Sequence, residues 1–373
     1  MLKIGILGGG QLGRMLLQAG ANYPAETFVM ENDAECPAAH LCHHFINGNI
    51  TDFEDVYNFG KNLDALTIEI ESVNVEALQK LEDEGKKVFP RPSALAIIKN
   101  KILQKQFYAS IEVPTSSFAV TDSKAEIDHH LHLLPAIHKI AMGGYDGRGV
   151  AIIKDPKEIM NGFDTPSVLE KLINIKKEIS LIVAINEAGE TAFYPTVEMI
   201  FNKDFNLLQY QLCPASISEK ALWKAEAIAL TVVKNLNSPG IFAVEMFIDF
   251  EDYVWVNETA PRVHNSGHHT IEANYCSQFD MLWRILLNYP LGNTRAIMSS
   301  AMVNLIGAEG FSGDVKYEGL EEVLTIDNAF VHLYGKKQTR PGRKMGHVTI
   351  ISDSTQDLIH KANIINRTLV SRT

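Results

Sequence analysis

The chain has 373 residues and a formal charge of −11, with 46% hydrophobic and 21% charged residues. This length predicts two or three domains, and the composition is typical of a globular protein. The acidic balance argues against a general nucleic-acid binder. No apolar run reaches the roughly 18 residues of a membrane helix. The four cysteines lack paired spacing, which indicates reduced thiols and a cytoplasmic location.

Residues 1–95 alternate strands with helices, which predicts a doubly wound α/β domain on a parallel sheet. Leu2–Leu7 is continuously apolar, as expected for a strand buried on both faces. The other expected elements are strands at Thr27–Met30 and Ala65–Ile70 and helices at Arg14–Asn22 and Val75–Glu84. The prolines that follow Val88 then end the domain.

A glycine loop follows the first strand. The segment Gly8-Gly-Gly-Gln-Leu-Gly13 matches G-x-G-x-x-G between a buried strand and a helix, where backbone N–H groups can hold a phosphate. Glu31 ends the second strand, near the position of a ribose-binding carboxylate. Alone, this pattern favours a nicotinamide-dependent dehydrogenase. The alternative is that the glycines only permit a tight turn.

From residue 96 to 290 the strands outnumber the helices, which predicts an α+β middle domain. It is expected to follow a long lysine-rich helix, Ala94–Ser110, and to contain strands at 136–141, 149–153, 179–185, 192–198, 207–212, 241–248 and 253–257. The segment Pro290-Leu-Gly-Asn predicts a second boundary. A small domain over 291–373 would then contain more strands, a basic turn and a helix from about Thr355.

A second glycine loop, Met142-Gly-Gly-Tyr-Asp-Gly-Arg-Gly149, lies between two strand-like runs and predicts a hairpin. Four glycines in seven residues let the backbone approach a ligand closely. Lys139 and Arg148 could add positive charge for a polyphosphate. The segment therefore predicts a flap over a nucleotide, with a mobile surface hairpin as the alternative.

Two acids lie on late strands. Ala243–Asp249 and Tyr253–Glu258 read as antiparallel strands joined by an acidic turn, and alternation gives Glu245 and Glu258 apolar neighbours on their faces. Unpaired carboxylates there would be costly, whereas Mg²⁺ with a nucleotide phosphate would neutralise them. Salt bridges are the alternative. Asn257 adds a neutral oxygen.

Polar residues crowd the next segment, Pro261-Arg-Val-His-Asn-Ser-Gly-His-His269, without helical or strand periodicity. Arg262 could stabilise a phosphoryl group or a carboxylate, and His264 could handle protons. Near the C-terminus, residues 334–347 concentrate cations in an acidic protein, which predicts a substrate-phosphate pocket. Solvated surface turns are the alternative for both segments.

Taken together, the glycine hairpin, the paired carboxylates and the leading α/β domain resemble the ATP-grasp superfamily. Three motifs, at 144–149, 257–268 and 342–347, are similar to those of the N5-carboxyaminoimidazole ribonucleotide synthases, bicarbonate-using ligases of bacterial and fungal purine synthesis. The resemblance runs from Gly8 to about Asp353. It implies an ATP-grasp fold with domains at 1–95, 96–290 and 291–373, and a flap subdomain at about 114–172.

The resemblance also implies an activity. Bicarbonate and ATP would carboxylate 5-aminoimidazole ribonucleotide to give N5-carboxyaminoimidazole ribonucleotide, ADP and phosphate, with Mg²⁺ or Mn²⁺ as cofactor. It implies a homodimer with small-molecule substrates, and neither nucleic acid nor a membrane as partner. Three alternatives stay open: an ATP-grasp ligase with another acceptor, a nicotinamide-dependent dehydrogenase, which would leave the second glycine loop and both acids unexplained, and a nucleotide-binding regulator without turnover.

Residue roles follow from the same resemblance. The ATP contacts it implies are Lys101, Lys139, Gly143, Gly144, Tyr145, Asp146, Gly147, Arg148, Gly149, Glu170, Lys171, Leu172, Ile173, Glu178, Asn257 and Glu258. The implied substrate contacts are Gln11, Leu12, Glu69 or Glu71, Asn265, Ser266, Lys336 and Arg343. The implied catalytic residues are Lys139, Tyr145, Asp146, Arg262 and His264, with Glu245 and Glu258 as metal ligands.

The chain departs from the family pattern at two positions. Many members have Asp-Arg where this chain has Asn100-Lys101, which keeps the charge but not the bidentate geometry. A family histidine near the nucleotide aligns with Phe201.

Overall fold

The computed structural model describes residues 1–144, 149–201 and 208–373. The N-terminal part is built on a parallel sheet of order β3-β2-β1-β4-β5. Its strands are β1 (Leu2–Leu7), β2 (Ala25–Glu31), β3 (His44–Asn47), β4 (Ala65–Ile68) and β5 (Lys87–Phe89). Its helices are α1 (Gln11–Gly20), α2 (Phe53–Gly60) and α3 (Val75–Asp83).

The predicted doubly wound domain is therefore confirmed, with apolar clusters on both sides of the sheet. Ile4 and Ile6 of β1 pack in the cluster that contains α1, whereas Leu7 packs with α2 and α3. Helix α1 begins at Gln11, directly after the glycine loop, and not at Arg14 as the sequence predicted.

The next part of the chain contains a small antiparallel sheet and most of a large one. The helices there are α4 (Pro92–Lys99), α5 (Lys101–Ser110), α6 (Glu219–Leu236), α7 (Thr270–Ala273) and α8 (Gln278–Leu286). The strands of the small sheet are β6 (Phe118–Thr121), β7 (Ala136–Ile140), β8 (Val150–Ile153) and β9 (Ser167–Lys171), in the order β6-β9-β7-β8. The strands of the large sheet are β10 (Ile175–Ile185), β11 (Thr191–Phe193), β12 (Val197–Phe201), β13 (Leu208–Cys213), β14 (Gly240–Asp249) and β15 (Val254–Ala260).

Three elements differ from the sequence prediction. The helix predicted at Ala94–Ser110 is two helices, because the Asn100 side chain accepts hydrogen bonds from the N–H groups of Ile102 and Leu103 and starts a new helix. The run at 192–198 is divided between β11 and β12. The sequence prediction also missed α6, whose buried face is rich in alanine and therefore gives a weak apolar signal.

The C-terminal part extends the large sheet. Its elements are β16 (Ser300–Ile306), β17 (Gly313–Asp314), β18 (Lys316–Glu318), α9 (Leu320–Val323), β19 (Ala329–Leu333), β20 (Gln338–Thr339), β21 (Lys344–Ile351), α10 (Thr355–Thr368) and β22 (Val370–Arg372). The sheet order is β15-β14-β10-β12-β13-β16-β21-β19, so one sheet continues across residue 290.

The two faces of the large sheet have different characters. One face packs against α6 and α10 through apolar side chains. Register places Ser180, Glu245 and Glu258 together on the opposite face, with Glu178 two residues from Ser180 along β10. Polar groups therefore collect on the face beside residues 262–269. In the described ranges, no helix is long and apolar enough to cross a membrane.

Candidate active site

The predicted acid pair is confirmed as a cross-strand pair. Glu245 on β14 lies directly opposite Glu258 on β15. Burial and the negative charge of Glu258 raise the pKa of Glu245 to about 8. Glu258 behaves oppositely: burial acts to raise its pKa, but its hydrogen bond to Lys101 and the charges of Lys101 and Lys139 together lower the pKa to about 2. One carboxyl of the pair thus holds a proton near neutrality while the other is ionised.

Two lysines face these acids. Lys101, the first residue of α5, places Nζ 2.7 Å from Oε2 of Glu258. Lys139 on β7 places Nζ 3.2 Å from Oδ1 of Asn257. The backbone N–H of Lys101 donates to the carbonyl of Ala141, which ties the start of α5 to the strand before the flap. The structure therefore brings together four residues that were predicted to contact ATP: Lys101, Lys139, Asn257 and Glu258.

Glu170, at the end of β9, lies between two ammonium groups. Its carboxylate is 3.1 Å from Nζ of Lys139 and 2.7 Å from Nζ of Lys105, and it accepts a 3.0 Å bond from Ser116. Burial would raise the pKa of Glu170, but the two lysines lower it. Lys105 also donates to Thr115. In this structure the Glu170 side chain anchors Lys139.

The remaining predicted nucleotide residues lie on β9 and β10 and on the segment between these strands. Glu178 on β10 is partly buried, and burial raises its pKa to about 7 against the opposing charge of Lys139. Lys171 and Leu172 are exposed, and their N–H groups donate to the carbonyls of Ser117 and Pro135. The predicted hinge ends with Ile173, just before β10.

The glycine flap is described only at its base. Strands β7 and β8 pair antiparallel, as the predicted hairpin requires, and Gly143 and Gly149 both have positive φ. Gly144 follows Gly143 at the base of the flap. The flap residues Tyr145, Asp146, Gly147 and Arg148 lie outside the described residues.

Arg262 joins the polar loop to the N-terminal part. Its Nη2 lies 2.9 Å from Oε1 and 3.1 Å from Oε2 of Glu71, and its Nη1 donates to the carbonyl of Val263. The buried Nε of Arg262 has no partner among the described residues. Of the two acids left open by the sequence, Glu71 is therefore the one that meets the polar loop.

The His264 ring is hydrogen-bonded through Nδ1, and its Nε2 lies near Glu245. Nδ1 accepts from the Ser266 N–H at 3.3 Å and lies 2.9 Å from the Ser266 hydroxyl, which in turn lies 2.8 Å from Ser180 Oγ. Since Nδ1 accepts, the hydrogen of the neutral ring is on Nε2, 3.5 Å from Glu245 Oε1. Burial and the charge of Arg262 lower the pKa of His264 to about 3. The ring is therefore neutral near pH 7.

Ser266 and Asn265 were predicted to contact the substrate. The Ser266 hydroxyl is buried and is engaged with His264 and Ser180. The Asn265 carbonyl lies 3.4 Å from Nε2 of Gln211, and its buried side-chain oxygen has no partner among the residues that the structure describes.

The first glycine loop packs on a carboxylate. The Leu12 N–H, at the start of α1, donates to Glu69 Oε1 at 3.1 Å, and a Cβ at Gly10 would lie 2.4 Å from the same oxygen. Burial raises the pKa of Glu69. The N–H of Gly9 donates to Glu31. A pyrophosphate would need backbone N–H groups of this loop, but those of Leu12 and Gly9 already donate to Glu69 and Glu31. The loop therefore does not fit the dehydrogenase interpretation.

The basic C-terminal turn meets this loop from the other side. Lys336 Nζ donates to Gln11 Oε1 at 2.8 Å, and Arg343 Nη1 donates to the carbonyl of Gln338. Burial, reinforced by the charge of Arg343, lowers the pKa of Lys336 to about 8. Lys344 is close enough to influence both Glu245 and His264. A cationic pocket thus borders the carboxylate cleft.

Sequence reasoning missed two buried residues at this site. Lys105 lies one helical turn after Lys101, and that spacing was the only available signal. Gln278, which contacts the backbone of His264, gave no signal, because a helix start predicts nothing about a side chain 14 residues away.

The acid pair fits a divalent cation. Two facing carboxyl groups, one of them with a pKa raised by burial and by the other's charge, provide the hard oxygen ligands that Mg²⁺ prefers. In residues 1–144, 149–201 and 208–373, no group of three or more His, Cys, Asp or Glu side chains forms a metal cage. Mg²⁺ bound by one or two carboxylates completes its coordination with substrate phosphates and water.

Three family models match the chain. They are the ribonucleotide synthetase preATP-grasp domain over residues 1–99, the ATP-grasp domain over 106–279 and the phosphoribosylaminoimidazole carboxylase C-terminal domain over 300–361. An N5-carboxyaminoimidazole ribonucleotide synthase of Brucella melitensis is 36% identical, covering 94% of this chain and 97% of its own. A chloroplastic phosphoribosylaminoimidazole carboxylase of Vigna aconitifolia is 35% identical over 95% of this chain, which spans 65% of that relative's length.

Solved structures agree with these matches. The N5-carboxyaminoimidazole ribonucleotide synthetase of Thermotoga maritima superposes with a TM-score of 0.93 at 37% identity, covering 100% of both chains. An N5-carboxyaminoimidazole synthase of Aspergillus clavatus, solved with ADP and 5-aminoimidazole ribonucleotide, gives a TM-score of 0.88 at 30% identity, covering 98% of both chains.

Proposed function

This chain belongs to the N5-carboxyaminoimidazole ribonucleotide synthase family, within the ATP-grasp fold, and from that premise we propose its activity. It is an ATP-dependent carbon–nitrogen ligase of purine biosynthesis. It carboxylates 5-aminoimidazole ribonucleotide with bicarbonate and releases ADP and phosphate. The observation that carries the proposal is the facing pair Glu245 and Glu258, with Lys101 at its edge and a separate cationic pocket beside it.

ATP is proposed to lie between the flap and the acid pair. Lys139 is supported as a phosphate ligand because its ammonium stands at the cleft with Asn257 and Glu170 as exchangeable partners. Mg²⁺, or Mn²⁺ in its place, would be held by Glu245 and Glu258 and would neutralise phosphate charge when bound. Glu178 is proposed to take the ribose, with Lys171, Leu172 and Ile173 beside the base. Gly143–Gly149 is proposed to cover the phosphates.

The proposed chemistry proceeds in two steps. A bicarbonate oxygen forms a bond to the γ-phosphorus of ATP while the bond to ADP breaks, which gives carboxyphosphate. The carboxyphosphate C–O bond then breaks to release phosphate, and the exocyclic amine forms a C–N bond to the carbon and loses a proton. Arg262 stabilises the anionic carboxyl group, and the neutral His264 holds its Nε2–H toward the reacting centre.

The ribonucleotide is proposed to bind between the first glycine loop and the basic turn. Lys336 and Arg343 would hold its 5′-phosphate, with Gln11 and Leu12 on the opposite wall. Glu71 and Asn265 would face its base. The contact between Lys336 and Gln11 supports this arrangement, because it joins the two segments at one pocket.

The wider setting is part of the same proposal. We place the enzyme in the cytoplasm as a homodimer, with domains at 1–95, 96–290 and 291–373. The four free thiols support a reducing compartment. Sedimentation of the purified protein would test the dimer.

Phosphate release from Mg-ATP tests the function directly. With bicarbonate present, adding 5-aminoimidazole ribonucleotide should stimulate release strongly, with an equal loss of its free amine. If ATP binds but the ribonucleotide neither stimulates release nor loses its amine, the acceptor has been assigned wrongly. The observations favour no second function over this one.

A further inference from the structure

Gln278 holds both backbone polar groups of His264. Its Oε1 accepts from the His264 N–H at 2.8 Å, and its Nε2 donates to the His264 carbonyl at 2.8 Å. The Gln278 side chain is fully buried. The acceptor oxygen and the donor nitrogen of the amide lie in one fixed plane, so together they hold the N–H and the carbonyl of one residue, and Nε2 also lies 3.4 Å from Nδ1 of His268.

Gln278 is itself fixed by its surroundings. It is the first residue of α8, and its N–H donates to the Thr270 hydroxyl, which donates to the carbonyl of Gly267. A Cβ at Gly267 would lie 2.6 Å from Gln278 Oε1, so only glycine lets the polar loop lie this close. Helix α8 is anchored farther along, where the buried Trp283 donates to the carbonyl of Leu16 on α1.

The backbone contact and the ring contact act on one side chain. Gln278 fixes the main chain of His264, and the Ser266 N–H fixes Nδ1 of its ring. With both fixed, Nε2 has a defined direction toward Glu245. A buried network of this kind holds a reacting group within the narrow range of positions that catalysis needs.

We infer that Gln278 is a positioning residue for His264, acting through the two hydrogen bonds to its backbone. The inference rests on the proposed function, in which His264 faces the reacting centre. Within the part of the chain that the structure describes, the side-chain hydrogen bonds of Gln278 go to His264 and His268 and to none of the proposed ATP contacts. Its loss should therefore lower kcat and leave ATP affinity unchanged.

The test uses the full-length enzyme with Gln278→Met, His264→Ala and the double variant. Gln278→Met keeps the length of the side chain and removes both hydrogen bonds. Because misplacing a reacting group by about 1 Å can cost about 100-fold in rate, we expect a loss of kcat on that order. The double variant should be no slower than His264→Ala alone, since Gln278 has nothing left to position.

Two further variants keep the test decisive. Gln278→Glu keeps the acceptor for the His264 N–H, and its buried carboxyl in the protonated form can donate to the His264 carbonyl, so its kcat should fall between that of wild type and that of Gln278→Met. Gln209→Met removes an amide that donates to Asn363 on α10 and has no hydrogen bond to His264 among the described residues, so it should leave kcat unchanged.

The outcomes separate the two claims. The positioning role would be overturned if both Gln278 variants had the kcat of wild type. It would also be overturned if the double variant were slower than His264→Ala alone, or if ATP affinity fell by the same factor as kcat. Absence of ribonucleotide-dependent turnover in the wild-type enzyme would instead overturn the proposed function.

Discussion

The partly buried carboxyl of Glu178 makes the stability of the ligand-free enzyme depend on pH. In the unfolded chain this group ionises near its ordinary pKa of 4.5, whereas burial raises its pKa to about 7 in the folded protein. Between these values the folded state holds a proton that the unfolded state has lost. The free energy of unfolding therefore falls as the pH rises from about 4.5 to 7, and is level above that range.

Glu178→Gln removes this loss, because the amide does not ionise. At about 1.36 kcal/mol per pH unit, the interval between 4.5 and about 7 corresponds to about 3 kcal/mol. The free energy of unfolding of the variant minus that of wild type should therefore be larger at about pH 8.5 than at about pH 5, by up to about 3 kcal/mol. It should also bind ATP more weakly if Glu178 holds the ribose.

Urea unfolding at the two pH values, without ATP, measures the effect. The exposed carboxylate of Glu309 supplies the control, and Glu309→Gln should show no comparable pH-dependent gain. If the stability difference between Glu178→Gln and wild type is the same at both pH values, the reasoning about burial is refuted.

Four other substitutions test the site. Lys105→Met removes one of the two ammonium groups that contact buried Glu170. The free energy of unfolding measured in urea should fall by about 3 kcal/mol. A loss below about 1 kcal/mol would contradict the buried ion pair. Glu258→Ala and Arg262→Ala should each abolish turnover while the circular dichroism spectrum stays that of the wild type; near-normal activity would remove that residue's assigned role. Lys336→Met should raise KM for the ribonucleotide about 10- to 100-fold and leave KM for ATP unchanged, and an equal rise in both would refute a separate phosphate pocket.

The sequence predicted those parts of the fold that depend on local pattern. Strand β1 was predicted with its observed bounds, because a strand buried on both faces is a continuous apolar run. The sequence correctly predicted that Glu245 and Glu258 lie on paired strands. Period-two alternation was wrong about the face of Glu258, because a register shift beside Glu245 leaves Asn257 as an extra residue and turns Glu258 away from the face of Val254 and Val256. The three motifs carried the family assignment.

Contacts between distant segments could not be predicted in this way. The glycine loop matched a dinucleotide pattern, but Glu69, 57 residues beyond Leu12, fills its N–H positions. Gln278 and Lys105 act through side chains that meet only in the folded chain. The break at Asn100 was missed because a cap inside a lysine-rich amphipathic run does not interrupt the apolar period.

The central claim is that bicarbonate attacks ATP to form an acyl phosphate that the ribonucleotide then consumes. Bicarbonate labelled with ¹⁸O tests it directly, because the attacking oxygen remains on phosphorus when the C–O bond breaks. The phosphate released with 5-aminoimidazole ribonucleotide present should carry one labelled oxygen per turnover. Unlabelled phosphate, formed at the same rate as the carboxylated product, would contradict the account.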